Sequence, residues 1–185
     1  MKMNELAGSK NDEFYTPKYA ITPLIKHLRA KGYTKIWCPF DTPESLYIRV
    51  LENAGFKVKA SHIDNDGDFF KLIKDKDWLD FADAIVSNPP YSMKTEILTA
   101  LFESKKPFAM LVGIVGLFES QARFKLFRDH PFEIMYLNLR VSYMLDYADA
   151  KPVKRPPFSS VYVTSQLLPK QIVFEMIDTK DLICD

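Results

Sequence analysis

Short apolar runs alternate with segments of helical spacing through the first two thirds of the chain, and apolar runs then follow one another directly. KIWCPF (35–40), FKVKASHI (56–63), the start of DAIVSNPPY (83–91), which must end before its prolines, and FAMLVGIV (108–115) read as strands separated by helices. FAMLVGIV is continuously apolar, as a central parallel strand buried on both faces must be. FEIMYLNLRV (132–141), SSVYVTSQLL (159–168) and QIVFEMI (171–177) then read as successive strands. This order predicts an α/β fold: a doubly wound, mostly parallel sheet flanked by helices, with an antiparallel edge hairpin. A chain of 185 residues holds one core of ordinary size and is too short for two full domains. Residues 1–11 read as a flexible N-terminal tail and 12–185 as a single domain.

Local signals refine the helices. Pro23 within one long helix would break it, so a helix from about Pro23 to Ala30 is expected. Thr42-Pro43 offers the start of the next, with Leu46, Val50, Leu51 and Ala54 at helical spacing. His27 and His130 read as surface residues of helices, and Trp37 and Trp78 as core. Arg123, Lys125 and Arg128 read as a solvated helix face, with phosphate contacts as the alternative.

Charge and cysteines narrow the class. Lys+Arg 25 against Asp+Glu 24 gives a net charge of +1, so a nucleic-acid partner needs a local basic patch. One stretch offers it: LDYADAKPVKRPPF (145–158) holds Lys151, Lys154 and Arg155 among prolines, as a solvated hairpin loop or as an arm that grips phosphates. Cys38 and Cys184 make neither a disulfide framework nor a metal site. With no apolar run of membrane-span length and no signal-peptide core at the start, a cytoplasmic location is expected, without membrane or metal.

The residues with the most chemical content are Asn88-Pro89-Pro90-Tyr91. They follow a short strand, at the edge where open α/β sheets bind ligands. Consecutive prolines stiffen the backbone and remove two amide donors. What faces the site is then rich in acceptors, the Asn88 side-chain oxygen and the Pro89 carbonyl, beside the flat face of Tyr91. Such a notch suits a planar group carrying an NH2. An exocyclic amino nitrogen is a poor nucleophile because its lone pair is delocalised into the ring. Accepting hydrogen bonds from both of its hydrogens draws the nitrogen toward tetrahedral geometry and frees that pair. Acceptors placed for the developing geometry stabilise the transition state more than the ground state.

With these residues the chain resembles the small phage-type DNA N6-adenine methyltransferases, a branch of the class I S-adenosylmethionine-dependent methyltransferases. NPPY (88–91) is similar to that family's amino-methylation motif, DEFYTP (12–17) to its N-terminal motif, and IWCPFDT (36–42) to its first strand and cofactor loop. DGDFF (66–70) is similar to the Asp-Phe pair the family places beside the cofactor adenine. The resemblance spans roughly residues 12–165. It implies that Asn88 and Pro89 hold the target amino group, with Pro90 in the same motif and Tyr91 against the base. It places Tyr15, Thr16 and Pro17 near the methionine end of S-adenosylmethionine, and Phe40, Asp41 and Thr42 where its sulfonium and amino group pass. Asp68 would accept from the cofactor adenine and Phe69 would pack on it. Asp64 either meets the ribose hydroxyls or is a solvated turn residue. Lys94 would touch a phosphate near the target, and Lys151, Lys154 and Arg155 the backbone.

The expected activity is methyl transfer to the N6 amino group of adenine in DNA, with the adenine flipped out of a duplex at a cost of a few kcal/mol. So small a recognition arm reads few bases, and a homodimer is one way to read more. Methylation of RNA bases or of protein glutamine uses the same motif. A catalytically degenerate binding relative is the alternative of another class, since CPFDTPES (38–45) carries none of the glycines of the family's first loop.

Overall fold

The computed structural model describes residues 15–65, 67–144 and 158–177. Among these residues seven strands form one sheet: β1 (Lys35–Pro39), β2 (Lys57–Ser61), β3 (Ala84–Ser87), β4 (Phe108–Gly113), β5 (Glu133–Leu137), β6 (Ser160–Ser165) and β7 (Ile172–Glu175). Their order is β2-β1-β3-β4-β6-β5-β7. The first four are parallel, β6 runs antiparallel to both β4 and β5, and β7 pairs parallel with β5. The expected α/β class holds, and the topology adds a detail. The antiparallel strand β6 lies inside the sheet, and β7 occupies the edge.

Period-two alternation sorts the strand side chains into two cores. On one face Ile36, Cys38, Ala84, Val86, Ala109 and Leu111 meet α1 (Lys18–Ala30) and α2 (Leu46–Asn53). On the other, Trp37, Ile85, Met110 and Val112 meet α3 (Phe69–Leu72), α4 (Lys76–Phe81), α5 (Lys94–Ser104) and α6 (Gln121–Asp129). Every residue of β4 is buried, so FAMLVG is the centre of the sheet. Trp37 is fully buried, and its indole N–H donates to Ser61 Oγ at 3.0 Å, which meets the need of a buried donor. Trp78 is half-buried, with the Lys59 ammonium 3.6 Å from its ring centroid.

Three local expectations are corrected. α1 runs unbroken from Lys18 and contains Pro23. The proline sits in the second turn, where it removes one backbone bond only, and buried Ala20, Ile21 and Leu24 hold both sides of it against the sheet. α2 starts after Ser45 rather than at Thr42-Pro43. Residues 42–45 close a turn through Ser45 N–H to Thr42 O at 2.9 Å, and Ser45 Oγ then caps the helix from Tyr47 N–H. His27 is buried, not a surface residue, because its Nε2 meets Glu175 Oε1 at 2.7 Å. Among the described residues, no helix is long and apolar enough to cross a membrane, and no His/Cys/Asp/Glu group is arranged to hold a metal. Residues 1–11, and Lys151, Lys154 and Arg155 of the basic stretch, lie outside the described residues.

Candidate functional site

The carboxyl ends of β1 and β3 bring Asp41 and Asn88-Pro89-Pro90-Tyr91 together. Beyond β1, Phe40 takes a left-handed backbone (φ 69°), a conformation that costs a residue with a Cβ about 1 kcal/mol. Its ring packs 4.9 Å from Phe69, and the chain turns inward so that Asp41 is only 8% exposed. The Asp41 amide donates to Ser61 O at the end of β2. Its carboxylate accepts from Ser45 Oγ, and from Ser87 Oγ at 2.5 Å. Burial pushes its pKa up to about 7, and the two hydroxyl bonds pull it partway back. No cationic side chain among the described residues pairs with it.

Ser87 is the last residue of β3, so the group that touches Asp41 immediately precedes Asn88. Asn88 is half-buried, Pro89 buried, and Pro90 leads into a short 3-10 turn, Tyr91–Met93, that runs on into α5. The Asn88 Oδ1 atom is shielded from solvent and receives no hydrogen bond, while the residue makes another contact. Tyr91 is half-buried. Its hydroxyl lies 2.6 Å from that of Tyr143, which lies 2.7 Å from Ser160 Oγ. The Tyr91 ring meets Phe158 edge-on at 5.6 Å. Phe158 in turn occupies the space beside Gly113, where a Cβ would come within 3.1 Å of its ring.

Lys94 turns inward and donates to Gly113 O at 3.0 Å, and burial and then the charge of Arg123 lower its pKa to about 8. Arg123 is not part of a solvated face. Its guanidinium donates to Gly116 O, Leu117 O and Thr95 Oγ1, clamping the loop after β4 onto α5. Lys125 and Arg128 are exposed, as the pattern suggested.

The N-terminal motif reaches the same region. Tyr15 forms an antiparallel bridge with Met144. Ser142 N–H donates to Tyr19 OH at 2.7 Å. Segment 141–144 therefore ties the start of α1 to Tyr91 through Tyr143. Thr16 is 2% exposed, its hydroxyl buried without a hydrogen-bond partner among the described residues, and Pro17 precedes α1. Thr42 is half-buried beside Asp41. Asp64 is exposed on a 3-10 turn after β2. Asp68 caps α3 by accepting from Phe70 N–H at 3.0 Å, and Phe69 is buried against Trp37 and Phe40. Gly67 is required here, since a Cβ would lie 2.6 Å from His62 N.

Four contributors had no role in the sequence reading: Ser45, Ser87, Tyr143 and Ser160. Ser87 could have been found from its place directly before the motif. Tyr143 carries no such signal, because a tyrosine in an apolar stretch reads as core.

No protein-family model and no curated protein matches the sequence. Among solved structures the chain is similar to a modification subunit of a putative type I restriction enzyme from Vibrio vulnificus YJ016, at 12% identity and a TM-score of 0.54. That match covers 88% of this chain and 46% of the other, so the chain spans less than half the length of that subunit. A further match is precorrin-6y C5,15-methyltransferase from Geobacter metallireducens GS-15, at 14% identity, 85% and 96% coverage and a TM-score of 0.44. The first likeness is one of fold: the chain shares the Rossmann-like α/β architecture of the restriction-enzyme modification subunit.

Proposed function

We propose that this protein is an S-adenosylmethionine-dependent methyltransferase that methylates the N6 amino group of adenine in DNA. One observation carries the reading. Asp41 and Asn88-Pro89-Pro90-Tyr91 leave adjacent parallel strands at the same edge, linked through Ser87 to Asp41 at 2.5 Å. A buried acid and a rigid run of acceptors thus share one site.

The donor set fits the proposed cofactor. A buried carboxylate bonded, among the described residues, only by neutral hydroxyls, and the buried Thr16 hydroxyl, suit its cationic methionine end. When bound, S-adenosylmethionine supplies an electrophilic methyl group on a sulfonium sulfur. Tyr15, Thr16, Pro17, Phe40, Asp41 and Thr42 line that side, and Asp64, Asp68 and Phe69 belong to its nucleoside side. Asn88 Oδ1 and the Pro89 carbonyl accept the two hydrogens of the target amino group. Tyr91 presents its ring to the base and fixes the plane in which those hydrogens point. These acceptors hold the amine as it becomes tetrahedral, so no ionised base is needed before transfer, and the proton leaves afterwards. Lys94, Lys151, Lys154 and Arg155 are the cations assigned to the nucleic-acid backbone, which makes binding fall steeply with salt. DNA is favoured over RNA bases and protein glutamine by the resemblance of the three sequence stretches taken together.

The test is transfer of a labelled methyl group to DNA, RNA and glutamine-containing peptide offered in competition at low salt. Label in N6-methyladenine of DNA is the expected product. Label in RNA or peptide instead replaces the acceptor. No label anywhere, with no calorimetric cofactor binding, overturns the reading in favour of a binding protein.

A further inference from the structure

We propose that Tyr143 is a positioning residue for the acceptor side of this site, fixing the ring of Tyr91 through its hydroxyl. The inference rests on the function proposed above and assigns a task to a residue which that function does not use.

Three hydroxyls stand in a row: Tyr91, Tyr143 and Ser160, separated by 2.6 and 2.7 Å. The far end, Ser160, opens β6, which pairs along its length with the central strand β4. The middle member is 1% exposed and cannot move without disturbing the core. Its neighbours are held too: Ser142 N–H by Tyr19 OH, and Met144 by the bridge to Tyr15. Tyr143 is thus fixed from two directions, by the sheet and by the segment that carries Thr16 and Pro17. Tyr91 is the half-buried end of the row. A phenol ring turns about two side-chain bonds. Edge-on packing against Phe158 limits one rotation, and tethering the hydroxyl limits the swing of the whole ring. A planar acceptor lying on that ring inherits its orientation relative to Asn88 Oδ1 and the Pro89 carbonyl. Small errors of orientation there cost rate rather than cofactor affinity.

The row also registers the two halves of the site. Segment 141–144 touches the N-terminal motif on one side and Tyr91 on the other. The wall for the base is therefore set against the wall for the cofactor through the Tyr143 hydroxyl and the backbone bridge beside it.

The variants are Tyr143→Phe, Tyr91→Phe, their double variant and Ser160→Ala, in the full chain. Each tyrosine change removes one hydroxyl and keeps the ring. Tyr143→Phe is expected to lower kcat about five- to tenfold, with the KM for S-adenosylmethionine unchanged. Tyr91→Phe is expected to give the same loss, and the double variant no more than either single one. Ser160→Ala is expected to lose about two- to threefold. A second readout does not need activity. With 3-fluorotyrosine at the nine tyrosines, the Tyr91 resonance, assigned by its absence in Tyr91→Phe, is expected to sharpen in Tyr143→Phe as the ring is released. Multiplied losses in the double variant, or a Tyr91 resonance unchanged in Tyr143→Phe, overturn the proposal. If Tyr143→Phe does not fold, Ser160→Ala decides it by both readouts, and Tyr91→Phe by kcat alone. A wild-type protein that methylates no acceptor overturns the proposed function instead, and the resonance alone then decides whether Tyr143 holds Tyr91.

Discussion

Glu175 on β7 and Asp41 beyond β1 are both buried carboxylates, 7% and 8% exposed, with opposite surroundings. Glu175 accepts from Lys26 Nζ at 2.5 Å and meets His27 Nε2 at 2.7 Å, both on α1. Burial pushes its pKa up, but those bonds outweigh it and hold the acid below its usual value. Among the described residues the Asp41 carboxylate has hydroxyl partners only, and burial takes it up to about 7. The first acid has its counter-charge within the chain and ties the edge strand to a helix. The second is kept at an energetic disadvantage to folding, which is tolerable where a cation from outside completes it.

The comparison predicts that changes at the two ends of the molecule damage different properties. Asn88→Ala is expected to lower kcat by roughly 100- to 1000-fold while the melting temperature stays near that of the wild type. A loss of stability in place of a loss of rate would move the asparagine to the structural side. Asp41→Asn reads out stability against pH. Below the ordinary value of 3.8 both folded and unfolded chains hold the Asp41 proton, and its contribution is complete. As pH rises the unfolded group ionises first, so stability is lost until the folded group ionises near pH 7. Urea unfolding between pH 4 and pH 8 should show roughly 2–4 kcal/mol of this loss in the wild type and none from this position in Asp41→Asn. Parallel profiles would contradict the assignment.

Glu175→Gln sharpens the contrast with the opposite sign. It should cost about 1–2 kcal/mol at pH 7, since Lys26 reaches solvent and only part of the pair is stranded. That difference is present above pH 4.5 and fades as pH falls through the lowered value of the folded acid. Cofactor titrations of this variant should match the wild type. A weakened titration would mean that the two ends are coupled.

Much of this architecture is legible from spacing. Alternating strand and helix segments dictate a sheet with two covered faces, and Pro89-Pro90 end β3 at the ligand edge because neither can continue a ladder. Less legible is whatever depends on contacts between distant elements. The helical propensity of Pro23 is overruled by the burial of Ala20, Ile21 and Leu24 around it. His27 meets an acid 148 positions away, and Asp41 depends on Ser87, 46 positions away. Local pattern shows that Asp41 follows a strand. It does not show that the carboxylate turns inward among hydroxyls, because this requires the positive φ of Phe40, a residue whose type favours extended backbone. Tyr143 belongs to the same class: its use lies in two hydroxyl contacts made by residues from other strands and loops.

Calorimetric titration of S-adenosylmethionine into the wild type and Asp41→Asn at pH 6, 7 and 8 tests the central claim most directly. A carboxylate of pKa about 7 that receives the ligand's positive end must ionise before it binds well. Affinity in the wild type should rise about tenfold from pH 6 to pH 8, and in Asp41→Asn it should be weaker and flat. Affinity independent of pH in the wild type, or the same rise in both proteins, would show that Asp41 does not receive the ligand.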